Sequence, residues 1–266
     1  MKLDAFLKAT WDQYCAITPD AARVHSVLEA RGERIINDHV AYRTFALPGI
    51  SRDEIGAIFD GFGYRRHPED LDFPEKKLRA SYWLPETDGL PKIFVSELKL
   101  NEVSPHLRTW IQTLTEGKTN RKITAEDLLN PRWNQPCQYA DYQKHYPESE
   151  YAAWTAAFGI RANHFTVSVN HLKTFKSLSE LNETLQTNGF VLSKAGGLIK
   201  GTENEKLEQS STKAQEVPWT FANGQTHRVP SCYYEFAKRY PQDNGELFEG
   251  FVPASADKIF ESTAKR

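Results

Sequence analysis

The sequence predicts an α+β fold: two βαβββ modules form one curved mixed sheet, or half-barrel, with a helical N-terminus and a helical insert. Three observations carry this reading. Apolar residues recur every three or four positions up to about residue 30 and then alternate strictly, a switch from helical to strand period. A series of strand, helix and Gly-aromatic pair occurs twice, ending at Gly63-Tyr64 and at Gly189-Phe190. A proline- and aromatic-rich stretch separates the two occurrences. The 266 residues then form one domain, with a pseudo-repeat at 35–103 and 160–240, an insert at 104–159 and a C-terminal lid at 250–266.

The elements follow in order. Leu3, Phe6 and Leu7, then Val24, Leu28 and Ala30, mark N-terminal helix; Thr18-Pro19-Asp20 is a helix start and Gly32 a stop. Residues 37–45, NDHVAYRTF, place Val40, Tyr42 and Thr44 on one strand face and His39, Ala41, Arg43 and Phe45 on the other. Pro48-Gly49 breaks the strand. Ser51 and Glu54 are spaced as a capping box, and Ile55, Ile58, Phe59 and Phe62 give the following helix its apolar side. Strand-like residues return at Ala80–Leu84 and at 93–100. The stretch 104–156 reads as irregular helix interrupted by Pro131, Pro136 and Pro147; Trp133, Tyr139, Tyr142, Tyr146 and Trp154 are packing residues.

The second half runs through a strand at 162–170, a helix at Ser179–Asn188 and Val191–Lys194. A glycine-rich turn (Gly196, Gly197, Gly201), a strand near 217–221 and a last strand over Ser231–Ala237 complete it. Ser210–Lys213 matches SxxK, but in a polar Ser/Thr/Glu/Lys stretch that reads as a loop. Setting the halves side by side aligns His39 with His164 and Ser96-Glu97 with Tyr234-Glu235.

Composition narrows the function. With 33 basic and 35 acidic residues the net charge is −2, which argues against a nucleic-acid partner. No apolar run approaches a membrane span, and no signal peptide is evident. Cys15, Cys137 and Cys232 form neither a disulfide framework nor a metal knuckle, so a cytoplasmic protein is expected. HExxH, GxSxG, Walker A and GxGxxG motifs are all missing.

What remains is a constellation. Glu235 sits among aromatic residues, where a carboxylate is costly to bury unless paired or bound to a cation. Two histidines and one carboxylate from separate strands make a facial triad suited to non-haem Fe(II). His39 and His164 occupy matching places in the repeat; His25 reads as a surface or core-edge residue, His67, His106, His145 and His171 lie in polar, turn-like contexts, and His227, eight residues from Glu235 across Pro230, is too far to join the same metal. Glu97 is the alternative carboxylate. Arg43, four residues from His39, shares its face and suits a carboxylate clamp.

NDHVAYRTF, NHFTVSVN, YYEFAKR and GFVPASADKIFES together resemble the 2-oxoadipate dioxygenase/decarboxylase family, which is related to the vicinal-oxygen-chelate fold and to hydroxymandelate synthase in mechanism. The resemblance covers nearly the whole chain. It implies an Fe(II) site at His39, His164 and Glu235, with Arg43 on the distal carboxylate of the substrate. A further family position at the substrate falls on Ala254, beside Ser255, where the family has a bulkier aliphatic residue. The activity implied is oxidation of a 2-oxo diacid by O2 to a 2-hydroxy diacid (2-hydroxyglutarate) and CO2, with no separate 2-oxoglutarate. Tyr233 and Arg239 share strand parity with Glu235 and are expected at the same cavity, beneath a C-terminal helix over Ala254–Ala264. Two other readings stay open: a Zn(II)- or Ni(II)-dependent lyase, isomerase or hydrolase on the same fold, and a non-catalytic module that binds a small acid.

Overall fold

A computed structural model describes residues 1–130 and 136–263. Pro131, Trp133 and the last predicted helical residue, Ala264, lie outside them. The N-terminal helices are α1 (Leu3–Cys15) and α2 (Pro19–Ala30), the latter with proline in its first turn, where a missing N–H costs nothing. The first half continues through β1 (Asn37–Phe45), α3 (Arg52–Asp60), β2 (Tyr64–Arg66), β3 (Leu71–Phe73), β4 (Leu78–Pro85) and β5 (Lys92–Leu98). The Ser51–Glu54 capping box is present as predicted. Then come four helices, α4 (Pro105–Leu114), α5 (Ala125–Leu128), α6 (Tyr139–His145) and α7 (Glu150–Phe158). The second half holds β6 (Ala162–Ser168), α8 (Leu178–Thr187), β7 (Lys200–Thr202), β8 (Leu207–Ser211), β9 (Glu216–Thr220), β10 (Thr226–Pro230) and β11 (Glu235–Arg239). It closes with α9 (Pro253–Phe260) and one 3-10 turn.

Nine strands make one mixed sheet in the order β2-β4-β5-β1-β6-β11-β8-β7, with β3 paired to β4 off this path. Read outward from the centre, each half repeats the other. β1 pairs parallel to β5 and β6 parallel to β11, and the two central strands meet antiparallel. The sheet is open, not a closed barrel, with edges at β2 and β7.

One face of the sheet packs on helices. Tyr42 meets Phe59 of α3, Phe165 meets Trp11 and Tyr14 of α1, and Ser210 bonds Asn182 of α8. The other face is covered by α9, which reaches β3 on one side and β7 and β8 on the other. Both faces are therefore buried, and β1 is buried at every position after Asn37. No helix among the described residues is long and apolar enough to cross a membrane.

Four sequence expectations change. Residues 207–211 are a buried strand and not a loop: Gln209, Ser210 and Ser211 are almost fully covered. Their polarity is satisfied sideways, Ser210 by Asn182, Ser211 by Ser262 and Gln209 by Glu235. Hydropathy cannot reveal a strand that is polar and buried. Glu235 is the first residue of β11, so Ser231–Tyr234 precede the strand. Residues 216–220 pair only with β10, as a hairpin apart from the main sheet. His145 is likewise buried, stacked on Trp110.

Candidate metal centre

The two central strands each carry one histidine to the face beneath α9. The rings of His39 and His164 meet edge to face, centroids 5.5 Å apart. Glu235 comes from β11, in register with Thr166 of β6, whose hydroxyl lies 3.1 Å from His39 Nε2. Glu235 Oε2 is 3.2 Å from His164 Nε2, and Oε1 is 3.7 Å from His39 Nε2. One ligand atom from each residue lies within 4.8 Å of the other two, and all three side chains are buried.

These donors fit a divalent metal. Glu235 Oε2 is buried with no hydrogen-bond partner, an arrangement costly for an ionised carboxylate unless a cation takes the free oxygen. Burial pushes the Glu235 carboxyl up, while His39 and Gln209 oppose that shift. Burial also holds His164 well below its ordinary value, with His39 and Arg43 adding to the effect, so the imidazole is neutral as a ligand must be. Each Nε2 reaches the cluster because each Nδ1 is engaged by the preceding residue. His39 Nδ1 meets Asp38 at 2.7 Å, and His164 Nδ1 meets Asn163 at 3.2 Å.

Behind the histidines stands an ion pair. Arg239 forks onto Asp38 at 2.7 and 2.9 Å and also donates to the carbonyls of Phe248 and Gly250. Burial alone would raise Asp38; Arg239 and His39 outweigh it and hold the carboxyl well below the usual range. Arg239 was expected at the cavity by strand parity. Its guanidinium is instead fully engaged in fixing Asp38 and the chain that leads into α9.

Other expected residues divide. Tyr233 stacks on His164 at 4.7 Å, with a buried hydroxyl that has no partner. Arg43 is buried near both but already matched: it pairs with Glu150 at 3.1 Å, donates to the Thr263 hydroxyl at 3.3 Å, and lies over the rings of Tyr151 and Trp154. Ala254 is exposed and Ser255 packs against Gly201, so neither lines the space over the triad. The helix starts at Pro253, and its turn brings Ala256, Ile259 and Phe260 inward instead. With Phe94 and Phe251 these leave a cavity of about 20 Å³, room for one water-sized occupant.

Sequence reasoning missed Gln209, Asp38, Phe94 and Phe251. Gln209 donates to Glu235 Oε1 at 2.5 Å. The one signal available for Asp38 was the repeated Asx-His pair, Asp38-His39 and Asn163-His164. Glu97 is not the counterpart of Glu235. Glu235 lies opposite the residue two after His164, and the residue two after His39 lies opposite Phe94. Glu97 is three places further on. It binds Arg79 at 2.5 Å and accepts from the Arg52 backbone N–H at 2.9 Å, fastening the start of α3.

The chain resembles known proteins along most of its length. The family model for 2-oxoadipate dioxygenase/decarboxylase matches residues 105–246. A rice (Oryza sativa subsp. japonica) protein named 2-oxoadipate dioxygenase/decarboxylase, chloroplastic/amyloplastic, is 38% identical over 94% of this chain and 76% of its own. The crystal structure of hydroxyglutarate synthase from Oryza sativa in complex with 2-oxoadipate is 33% identical over 98% of this chain and 91% of that one, with a TM-score of 0.89. A crystal structure from Shewanella frigidimarina, named a hydrolase, is 40% identical over 94% of this chain and 98% of that one, with a TM-score of 0.86. By the family match and by identity along nearly its whole length, this chain belongs to the 2-oxoadipate dioxygenase/decarboxylase family.

Proposed function

We propose that this protein oxidises a 2-oxo diacid of the 2-oxoadipate type with O2, releasing CO2 and a 2-hydroxy diacid, 2-hydroxyglutarate, and that its metal is Fe(II) held by His39, His164 and Glu235. The observation that carries the reading is the buried His-His-Glu cluster with a free carboxylate oxygen, in a chain of this family. When bound, ferrous iron supplies chelation of the 2-oxo acid end and the activation of O2. Atoms balance with one O2 and no second 2-oxo acid.

The chain's own residues do the rest. Asp38, locked by Arg239, and Asn163 aim the two imidazoles. Gln209 orients Glu235 so that Oε2 faces the cluster. Tyr233, whose pKa burial and then Glu235 push well above its usual value, keeps a neutral hydroxyl beside His164. Arg43 receives the distal carboxylate by releasing Glu150 and Thr263. The C-terminal segment serves as the lid: the cavity is too small for a six-carbon acid while Ile259 and Phe260 stay in place, and their return excludes water. The pseudo-repeat acts as one domain, since a single site draws on both halves. The three free thiols agree with a reducing, cytoplasmic setting.

The test is metal analysis of protein purified without a His tag, followed by an oxygen electrode with a series of 2-oxo diacids. Oxygen uptake matched to CO2 release, lost in His39→Ala, is expected. Turnover without oxygen on Zn(II) or Ni(II) would move the assignment to a lyase, isomerase or hydrolase. Tight acid binding by metal-free protein without turnover would make it a binding module.

A further inference from the structure

Lys200 is a buried cation on the metal face that no carboxylate matches. β7 pairs antiparallel to β8 with Lys200 directly opposite Gln209. Directly opposed residues point to the same face of a sheet, so Lys200 stands on the face where Gln209 reaches Glu235. The side chain is only 3% exposed. α9 crosses over β7 here; Gly201 lies so close that a Cβ would meet Leu207's carbonyl oxygen at 2.1 Å and Ser255 Oγ at 3.0 Å. The ammonium makes one hydrogen bond, to the carbonyl of Ser193 at 3.0 Å.

An ammonium carries three donors, and placing one in the interior costs several kcal/mol unless an anion answers it. The other buried cations near the triad are answered: Arg43 by Glu150 and Arg239 by Asp38. Lys200 has no acidic group at ion-pair distance among the described residues. Burial pushes its pKa down to about 8, with Glu235 and Glu261, the charged groups that act on it, pulling the other way.

Charge balance and reach both favour a substrate role. Before Arg43 gives up Glu150, with a divalent metal, Glu235 and Lys200 in place and the two arginine-carboxylate pairs neutral, the site is two charges positive. A 2-oxo diacid brings two negative charges. Lys200 is two strands across from Glu235 and, because Gln209 faces Ala237, two residues along, about 12 Å in all, which its own long stem shortens. The carboxyl carbons of an extended six-carbon diacid are five bonds apart, about 6 Å.

We infer that Lys200 is a specificity-determining residue, a second cation that with Arg43 reads the distal carboxylate and so selects 2-oxo diacids over 2-oxo monoacids. This rests on the proposed function. The experiment measures anaerobic binding of 2-oxoadipate and of the monoacid 2-oxohexanoate by calorimetry, using the protein with its metal. Wild type, Lys200→Met and Lys200→Arg are compared. The expected result is a diacid Kd at least tenfold weaker in Lys200→Met, a monoacid Kd within twofold of wild type, and most of the diacid affinity restored in Lys200→Arg. In wild type the preference for the diacid should fall as pH rises through about 8. That measurement needs no variant and so survives misfolding of Lys200→Met. Unchanged discrimination in Lys200→Met, equal losses for both acids, or a wild-type preference flat across pH 7–9 would each overturn the assignment. Failure of wild type to bind either acid would overturn the proposed function itself.

Discussion

The two halves of the sheet share a strand order and differ in chemistry. From the centre outward, β1-β5-β4-β2 mirrors β6-β11-β8-β7. Each half contributes one histidine from its central strand. Beside it, at the register position where the second half carries Glu235, the first half carries Phe94. One carboxylate and one phenyl ring at equivalent places give a single asymmetric site: two imidazoles and one carboxylate on one side, an apolar wall on the other. The first half still buries a glutamate, Glu97, but uses it to hold α3 and Arg79. Backbone symmetry is therefore a poor guide to ligand identity. Register decides.

The largest expected effect separates the two glutamates. Glu235→Gln should abolish metal retention and oxygen uptake while the protein stays folded, because the amide keeps the shape and removes the charge that holds a cation. Atomic absorption and circular dichroism check this together. Glu97→Ala should do the reverse. Removing the carboxylate leaves the buried Arg52 backbone N–H without its acceptor, while the Arg52 guanidinium keeps Asp70 and the half-exposed Arg79 turns to water, a loss of about 1–3 kcal/mol. A chain of this size should then melt roughly 5 °C lower, with metal content per folded molecule unchanged. If Glu97→Ala loses metal and Glu235→Gln keeps it, the register argument is wrong.

Much of this was legible in the residues, for identifiable reasons. The capping box at Ser51 and the alternation over 37–45 are local patterns, and local patterns carry their own physics. The histidines were found because the repeat doubled a weak signal. β8 was invisible because Gln209, Ser210 and Ser211 are buried through side-chain hydrogen bonds that only the third dimension supplies. Arg239 was misplaced for a related reason: parity put it on the correct face, but parity does not say whether Asp38 is there first. Ala254 was misplaced because the helix begins one residue earlier, and a helical turn then points it to solvent.

Smaller effects sharpen the comparison at the histidine supports. His39 leans on a carboxylate, His164 on an amide. Asp38→Asn should weaken metal binding by about 10- to 100-fold, the usual cost of losing a supporting carboxylate. It also strands Arg239, whose guanidinium would lose its ionic partner while keeping the carbonyls of Phe248 and Gly250. Competition titration with a chelator measures the change.

Asn163→Ala tests the other half, and the effect should be the smallest of the four. The contact is neutral and long at 3.2 Å, where a hydrogen bond contributes about 1 kcal/mol. A loss of roughly fivefold in metal affinity follows, because Tyr233 still stacks on the His164 ring and holds its plane. Tyr233→Leu added to Asn163→Ala should then cost more than the two single changes summed, since together they release both constraints on one imidazole. Simple additivity in that double variant would mean that His164 is positioned by its strand alone, and that the two halves support their ligands by different means.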